Sequence, residues 1–283
     1  MEKLKLIECP RDAMQGLHDF VPTDVKIDYI NGLLECGFDT IDFGSFVSPK
    51  AIPQMRDSAE VLEGLNDSES HLLAIIANER GANDAASFER IKYLGYPFSV
   101  SEEFQKRNTN ATIDESFSRV EGIREIAMKA NKELVLYLSM GFGNPYGEDW
   151  HPDIVAKWSE KLNKELDIKI LALSDTIGVA NPEIVDSLFA TLIKELPEVE
   201  FGAHLHTVPE NAQNLVKAAY EAGCRRFDGA IKGFGGCPMA KDDLTGNMPT
   251  EAMLAWFDAN AVGTGIDNDA FVSSMQKAVQ VFP

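Results

Sequence analysis

Cysteine is scarce in this chain: Cys9, Cys36, Cys224 and Cys237 are its only four among 283 residues. They are widely spaced and form no CxxC pair, which excludes a disulfide scaffold and a paired-thiolate zinc motif. A reduced, cytoplasmic protein is the expectation. Positive charge is also short, with 26 Lys and Arg against 45 Asp and Glu and a net charge of −19. A surface of that sign repels the phosphates of nucleic acids and of anionic membranes, so neither is an expected partner. No apolar run approaches the ~18 residues of a membrane-spanning helix. The opening residues Met1-Glu2-Lys3-Leu4-Lys5-Leu6-Ile7-Glu8 break a short apolar tract with charge, unlike the core of a secretion signal. No linker, low-complexity tract or short repeat divides the sequence, and one domain over residues 1–283 is expected. What remains is an ordinary globular composition, 45% hydrophobic and 25% charged, sufficient to bury a core without cross-links.

One pattern recurs along the chain. Eight short runs rich in Ile, Leu, Val and Phe, each bounded by Gly, Pro, Asn, Asp or Ser, read as strands: Leu4–Cys9, Thr40–Gly44, Leu72–Ala77, Phe98–Ser101, Leu134–Met140, Ile168–Leu173, Val199–His206 and Arg226–Ile231. Segments with helical spacing separate them. Ile27, Ile30, Leu33 and Leu34 share one face of 25–36, and Phe117, Val120, Ile123 and Ile126 one face of 113–130, where Thr112 or Asp114 can cap the start. Pro152, Pro182 and Pro209 stand where the fifth, sixth and seventh helices begin, a position that tolerates the missing N–H. Strands alternating with helices imply a parallel sheet, and eight of them in a chain of this length imply a closed (β/α)8 TIM barrel, an α/β fold. A final helix is expected over 270–281. The competing open, doubly wound sheet lacks its GxGxxG after the first strand.

In such barrels the site is built at the carboxyl ends of the strands. Arg11, Asp12, Asp42, Ser45, Asn78, Asp175, His204 and His206 fall there, with the long loop 233–249. His204 and His206 are two apart on a strand, so both imidazoles point to one side. The other histidines, His18, His71 and His151, are scattered. Joined by the carboxylate of Asp12 and the amide oxygen of Asn247, the pair offers two nitrogens and two oxygens, a donor set suited to Mg2+ or Mn2+ and less to zinc. Each of these residues also has a structural reading, as a satisfied polar group, a cap or a turn. Arg11 can stabilise an oxyanion, or pair with Asp12 or Asp42. In the loop Gly233-Phe234-Gly235-Gly236-Cys237-Pro238 the thiol can transfer a proton, attack a carbonyl, or serve only as packing.

Four segments resemble, in order, those of the 3-hydroxy-3-methylglutaryl-CoA lyase family. They are Glu8-Cys9-Pro10-Arg11-Asp12-Ala13-Met14-Gln15; Ser45-Phe46-Val47-Ser48-Pro49-Lys50 with Pro53-Gln54-Met55; Asp175-Thr176-Ile177-Gly178-Val179; and Gly235-Gly236-Cys237-Pro238 with Gly246-Asn247. The resemblance covers roughly residues 4–251. It implies a carbon–carbon lyase yielding acetoacetate and acetyl-CoA. Asp12, His204, His206 and Asn247 would bind Mg2+ or Mn2+. Arg11 would steady the enolate of the departing acetyl-CoA, and Cys237 would move a proton. Asp42, where the family usually has glutamate, and Asp175 would orient substrate hydroxyl, water or ligands.

Ser45 and Asn78 are candidates to contact the acyl-CoA. Lys50 and Arg56 are candidates for a basic rim facing its phosphates, and the resemblance leaves room for a homodimer. The chain departs from the family pattern at Thr207, at the fifth strand, which has no arginine, at Gly143-Asn144-Pro145-Tyr146, and at Ala172. These departures bear on the acyl substrate. They keep open an aldolase or Claisen-type acyltransferase on another 3-hydroxy acyl substrate, and a non-catalytic barrel that binds metal or acyl-CoA.

Overall fold

The computed structural model describes residues 3–236 and 245–282. Eight parallel strands close into a barrel: β1 (Lys5–Glu8), β2 (Thr40–Ser45), β3 (His71–Ile75), β4 (Ile91–Ser99), β5 (Glu133–Ser139), β6 (Ile170–Asp175), β7 (Glu200–Leu205) and β8 (Arg226–Gly229). β1 closes the ring by pairing with both β2 and β8, with Lys5 opposite Arg226 and Ile7 opposite Asp228. Each of the eight expected runs overlaps a strand.

β4 differs from its expected start at Phe98, for it begins at Ile91 and carries Gly95 and Pro97 inside it. The carbonyl of Gly95 accepts from Ile76 on the β3 side, 2.8 Å away, and the β3 ladder ends at Gly95. Residues two apart on a strand face the same neighbour, so the missing N–H of Pro97 falls beyond the end of β3, where no ladder bond is lost.

Strand alternation divides the apolar residues into two cores. Leu73, Ile75, Tyr93, Val135, Tyr137, Ile170 and Ala172 form one cluster, on alternate positions of β3 to β6. Their neighbours Leu72, Ala74, Leu94, Leu136, Leu138, Leu171 and Leu173 join the larger core that also takes in the helices. The clustered set fills one half of the barrel interior. The half formed by β7, β8, β1 and β2 is polar and equally buried, with Asp42, His204, Arg226 and Asp228.

The helices begin where caps and prolines direct. Thr112 and Glu115 exchange hydrogen bonds in a capping box before Ile113–Lys129. Pro152 opens Pro152–Leu166 and Pro182 opens Pro182–Glu195. Pro209 instead starts a short 3-10 turn, Pro209–Asn211, that leads into Ala212–Glu221. The final helix, Asn268–Val281, packs against Thr23–Glu35 through Lys277 to Asp28 (2.7 Å) and an edge-on Tyr29–Phe282 contact with ring centroids 6.0 Å apart.

Candidate active site

β1 passes directly into a single helical turn, Pro10–Met14, opened by a proline whose ring sets the backbone for it. This turn places Arg11 and Asp12 at the carboxyl end of the barrel, both buried. All three nitrogens of the Arg11 guanidinium make hydrogen bonds. Nε donates to both oxygens of Asp42 (3.2 and 3.1 Å), Nη2 donates to Asp42 Oδ2, and Nη1 donates to Asp12 Oδ1 (2.7 Å) and Gln15 Oε1 (3.1 Å). Gln15 Nε2 donates back to Asp12 Oδ1 at 2.8 Å.

Burial works against the Arg11 charge, but Asp42 and Asp12 outweigh it and push the guanidinium further above its ordinary range. Burial also dominates at Asp42, lifting its pKa to about 6 against the pull of Arg11. Asp12 goes the other way. Burial raises it, yet Arg11, His204, His206 and Asn247 together hold it below the usual carboxylate value.

His204 and His206 project to the same side of β7 and its end, with ring centroids 5.4 Å apart. One ligand atom from each of Asp12, His204 and His206 lies within 4.8 Å of the others. His206 Nε2 is 3.9 Å from Asp12 Oδ2, and that oxygen is buried without a hydrogen-bond partner among the described residues. Buried polar atoms are almost always partnered, so an orphaned carboxylate oxygen beside two imidazoles fits a cation. Asn247 sits opposite His206 in an isolated bridge and donates its amide nitrogen to Phe234 O (2.8 Å), which holds its side chain beside Asp12.

Burial, with His204 nearby, depresses His206 to about 4 despite Asp12, so its imidazole is neutral at neutral pH. His204 moves the other way. Burial lowers it, but the hydrogen bond and charge of Asp228 raise it further. Gly235 explains why the loop after β8 can lie so close: at φ +94°, a Cβ there would stand 2.7 Å from Ala13 Cα and 2.8 Å from Asn247 Nδ2.

A cavity of about 430 Å³ opens over this group, lined by Arg11, Asp12, His204 and His206 on the polar side and by Val47, Ile75 and Tyr137 on the apolar side. Ser45 and Asn78 line it as expected. Asn78 also caps the helix Glu79–Ala86 by accepting from Gly81 N at 3.0 Å. Asp42 stands behind Arg11 and not at the cavity wall.

Asp175 departs from its expected place. Its carboxylate accepts from the amides of Ile177 (3.3 Å), Gly178 (2.9 Å) and Ala180 (2.7 Å), so it shapes the loop after β6 and does not line the cavity. Burial raises its pKa against those amide bonds. The expected basic rim is displaced as well. Lys50 is exposed and outside the lining, and Arg56 stacks on Phe20 at 3.5 Å. Among the described residues, the cation that lines the cavity besides Arg11 is Arg107, steadied by Glu103 at 2.7 Å. Cys237 lies outside the described residues.

The sequence reading missed Gln15, Tyr137, Arg107 and Asp228. Only the strand register signals Asp228: Gly202 pairs with Arg226, and two residues on, His204 comes opposite Asp228.

The profile of the HMGL-like family matches residues 4–277. The cytoplasmic 3-hydroxy-3-methylglutaryl-CoA lyase of Rattus norvegicus is 33% identical over 270 residues, covering 94% of this chain and 77% of that protein. The 3-hydroxy-3-isohexenylglutaryl-CoA/hydroxy-methylglutaryl-CoA lyase of Pseudomonas aeruginosa is 32% identical over 281 residues, covering 99% and 93%. Among solved structures, the HMG-CoA lyase of Acinetobacter baumannii in complex with coenzyme A and 3-methylmalate superposes with a TM-score of 0.91 at 33% identity, covering 99% of this chain and 91% of that one. The motifs, the barrel and these matches agree: the chain belongs to the HMGL-like family.

Proposed function

We propose that this protein is a divalent-metal-dependent carbon–carbon lyase that cleaves 3-hydroxy-3-methylglutaryl-CoA to acetoacetate and acetyl-CoA. The observation that carries the reading is the convergence of Arg11 with Asp12, His204 and His206 on one wall of a single cavity. Asp12, His204, His206 and Asn247 would hold the ion, and their mixed oxygen and imidazole donors favour Mg2+ or Mn2+. A bound dication supplies Lewis-acid polarisation of the substrate oxygens and makes the tertiary alcohol easier to deprotonate.

The chain's own groups account for the rest. As the C2–C3 bond breaks, the C3 hydroxyl gives its proton to solvent water and C3 becomes the ketone of acetoacetate. The electron pair of that bond moves onto the thioester as an enolate. Arg11 faces the cavity and is clamped by Asp42, so its charge is already in place when the enolate forms and needs no reorganisation. Asp42 acts by holding Arg11, and Asp175 by shaping the loop beside the cavity. Cys237 is assigned, from the sequence resemblance, the delivery of a proton to C2 that completes acetyl-CoA. Ser45, Asn78 and Arg107 offer polar contacts for the thioester arm, and Lys50 stands outside the lining, where only an extended coenzyme would meet it.

The same reading takes residues 1–283 as one domain, allows a homodimer, and places the protein in the cytoplasm. Three buried, unpaired cysteines, Cys9, Cys36 and Cys224, support a reduced compartment. Among the described residues no helix is long and apolar enough to cross a membrane. The test is direct: purified protein, 3-hydroxy-3-methylglutaryl-CoA and Mg2+ or Mn2+, with acetyl-CoA measured over time. Metal-dependent release of acetyl-CoA is expected. No release with either ion would overturn the proposal.

A further inference from the structure

Asp228 is the next-to-last residue of β8, inside the polar half of the barrel, and is 3% exposed. Taking a carboxylate out of water is costly, so a residue kept there should have a task that its contacts reveal. Its only hydrogen bond among the described residues is to His204 Nδ1, at 3.0 Å, and its other oxygen has no protein partner.

Arg226, two residues earlier on the same face, is fully buried and coupled to Asp228 by charge. Yet Arg226 directs Nη1 to Glu200 Oε1 (3.1 Å), and its Nε and Nη2 have no acceptor among the described residues. It therefore supplies a counter-charge without competing for the carboxylate oxygens. Among the described residues Asp228 ties no two elements together except through His204, whose ring also makes a T-shaped contact with Tyr137, with centroids 5.2 Å apart.

An ionised carboxylate can only accept, so the Nδ1 that faces it must carry the hydrogen. Neutral imidazole has one hydrogen to place. With Nδ1 protonated, the lone pair resides on Nε2. We propose that Asp228 is a positioning residue for the metal site, fixing the tautomer and the orientation of His204 so that Nε2 is its ligating atom. This inference rests on the reading of Asp12, His204 and His206 as metal ligands. Outer partners of this kind typically change metal affinity by about 10–100-fold when removed.

The experiment compares wild-type protein with Asp228→Ala and Asp228→Asn. Mn2+ binding is followed by calorimetry. The His204 tautomer is read from 15N-histidine spectra of metal-free protein at pH 8.5, with its signals assigned through their loss in His204→Gln. The wild type should show His204 protonated at Nδ1. In Asp228→Ala that preference should be lost and Mn2+ affinity should fall about 10–100-fold. Asp228→Asn should lie between, because its amide oxygen still accepts the Nδ1 hydrogen.

A structural role alone would lower the melting temperature and leave both readouts unchanged, which overturns the proposal. Should Asp228→Ala fail to fold, the wild-type tautomer and the Asp228→Asn affinity decide. Nδ1 without its hydrogen in the wild type overturns it as well. A wild type that binds no Mn2+ overturns the metal reading itself, and this inference with it.

Discussion

The guanidinium of Arg11 lies in the grip of Asp42, its Nε 3.2 and 3.1 Å from the two carboxylate oxygens, with both residues buried. Arg11 is thus a fixed cation, aimed before any substrate arrives. Arg11→Lys keeps a charge but loses the planar fork that Asp42 holds. Turnover should fall ~10²-fold or more, as when an oxyanion-stabilising donor is removed. Mn2+ affinity should change little. Asp42→Ala should cost about 3–5 kcal/mol in urea unfolding, because it strands a buried charge. Turnover of Arg11→Lys within twofold of wild type would leave Arg11 a structural role only.

The metal set is tested at His206. Its neutral imidazole and the orphaned Asp12 Oδ2 stand ready for a cation. Titration calorimetry with Mn2+ should find one site in the wild type and none in His206→Ala. Equal binding by that variant would place the ion elsewhere.

Thiol chemistry separates Cys237 from the other cysteines. Cys9, Cys36 and Cys224 are at most 1% exposed, and burial raises the pKa of all three thiols, Cys36 to about 11 and Cys224 to about 12. Small alkylating agents react with thiolates, so these three should be slow. If Cys237 moves the proton, mass mapping should find it modified first, and a substrate analogue should protect it. Cys237→Ser should fold and bind Mn2+ yet lose most of its turnover. Full activity in that variant would remove the thiol from the reaction.

Glu8 makes stability depend on pH. It is fully buried, accepts from Ile231 N (2.8 Å) and Thr250 Oγ1 (2.6 Å), and burial lifts its pKa to about 8 against those bonds. Between the ordinary glutamate range and pH 8 the folded protein holds a proton that the unfolded chain has released. Stability from this group is therefore full at low pH and declines as pH rises through that window, by at most ~1.4 kcal/mol per pH unit. Glu8→Gln mimics the protonated form and should flatten the decline. Urea unfolding of both proteins between pH 5 and 8.5 measures it, and parallel slopes would refute the assignment.

The sequence by itself determined the alternation of strands and helices, the barrel that follows from it, and the sharing of one side by His204 and His206. Each of these rests on local periodicity, which is written in neighbouring residues. The turn that carries Arg11 and Asp12 was legible for the same reason, since Pro10 acts on its own backbone. The partners of those residues were not. Whether Arg11 would pair with Asp12 or with Asp42 remained open in the sequence, and the folded barrel lets it hold both.

Asp228 meets His204 only because β7 and β8 pair in one register, a contact between residues 24 apart that no local pattern encodes. Asp175 looked like a site carboxylate, yet three backbone amides claim its oxygens once the loop after β6 has its shape. Strand and helix follow from short-range sterics and hydrophobic spacing. Which polar groups meet, and which are left waiting for a ligand, is decided only when the closed sheet brings distant strands together and takes water away from them.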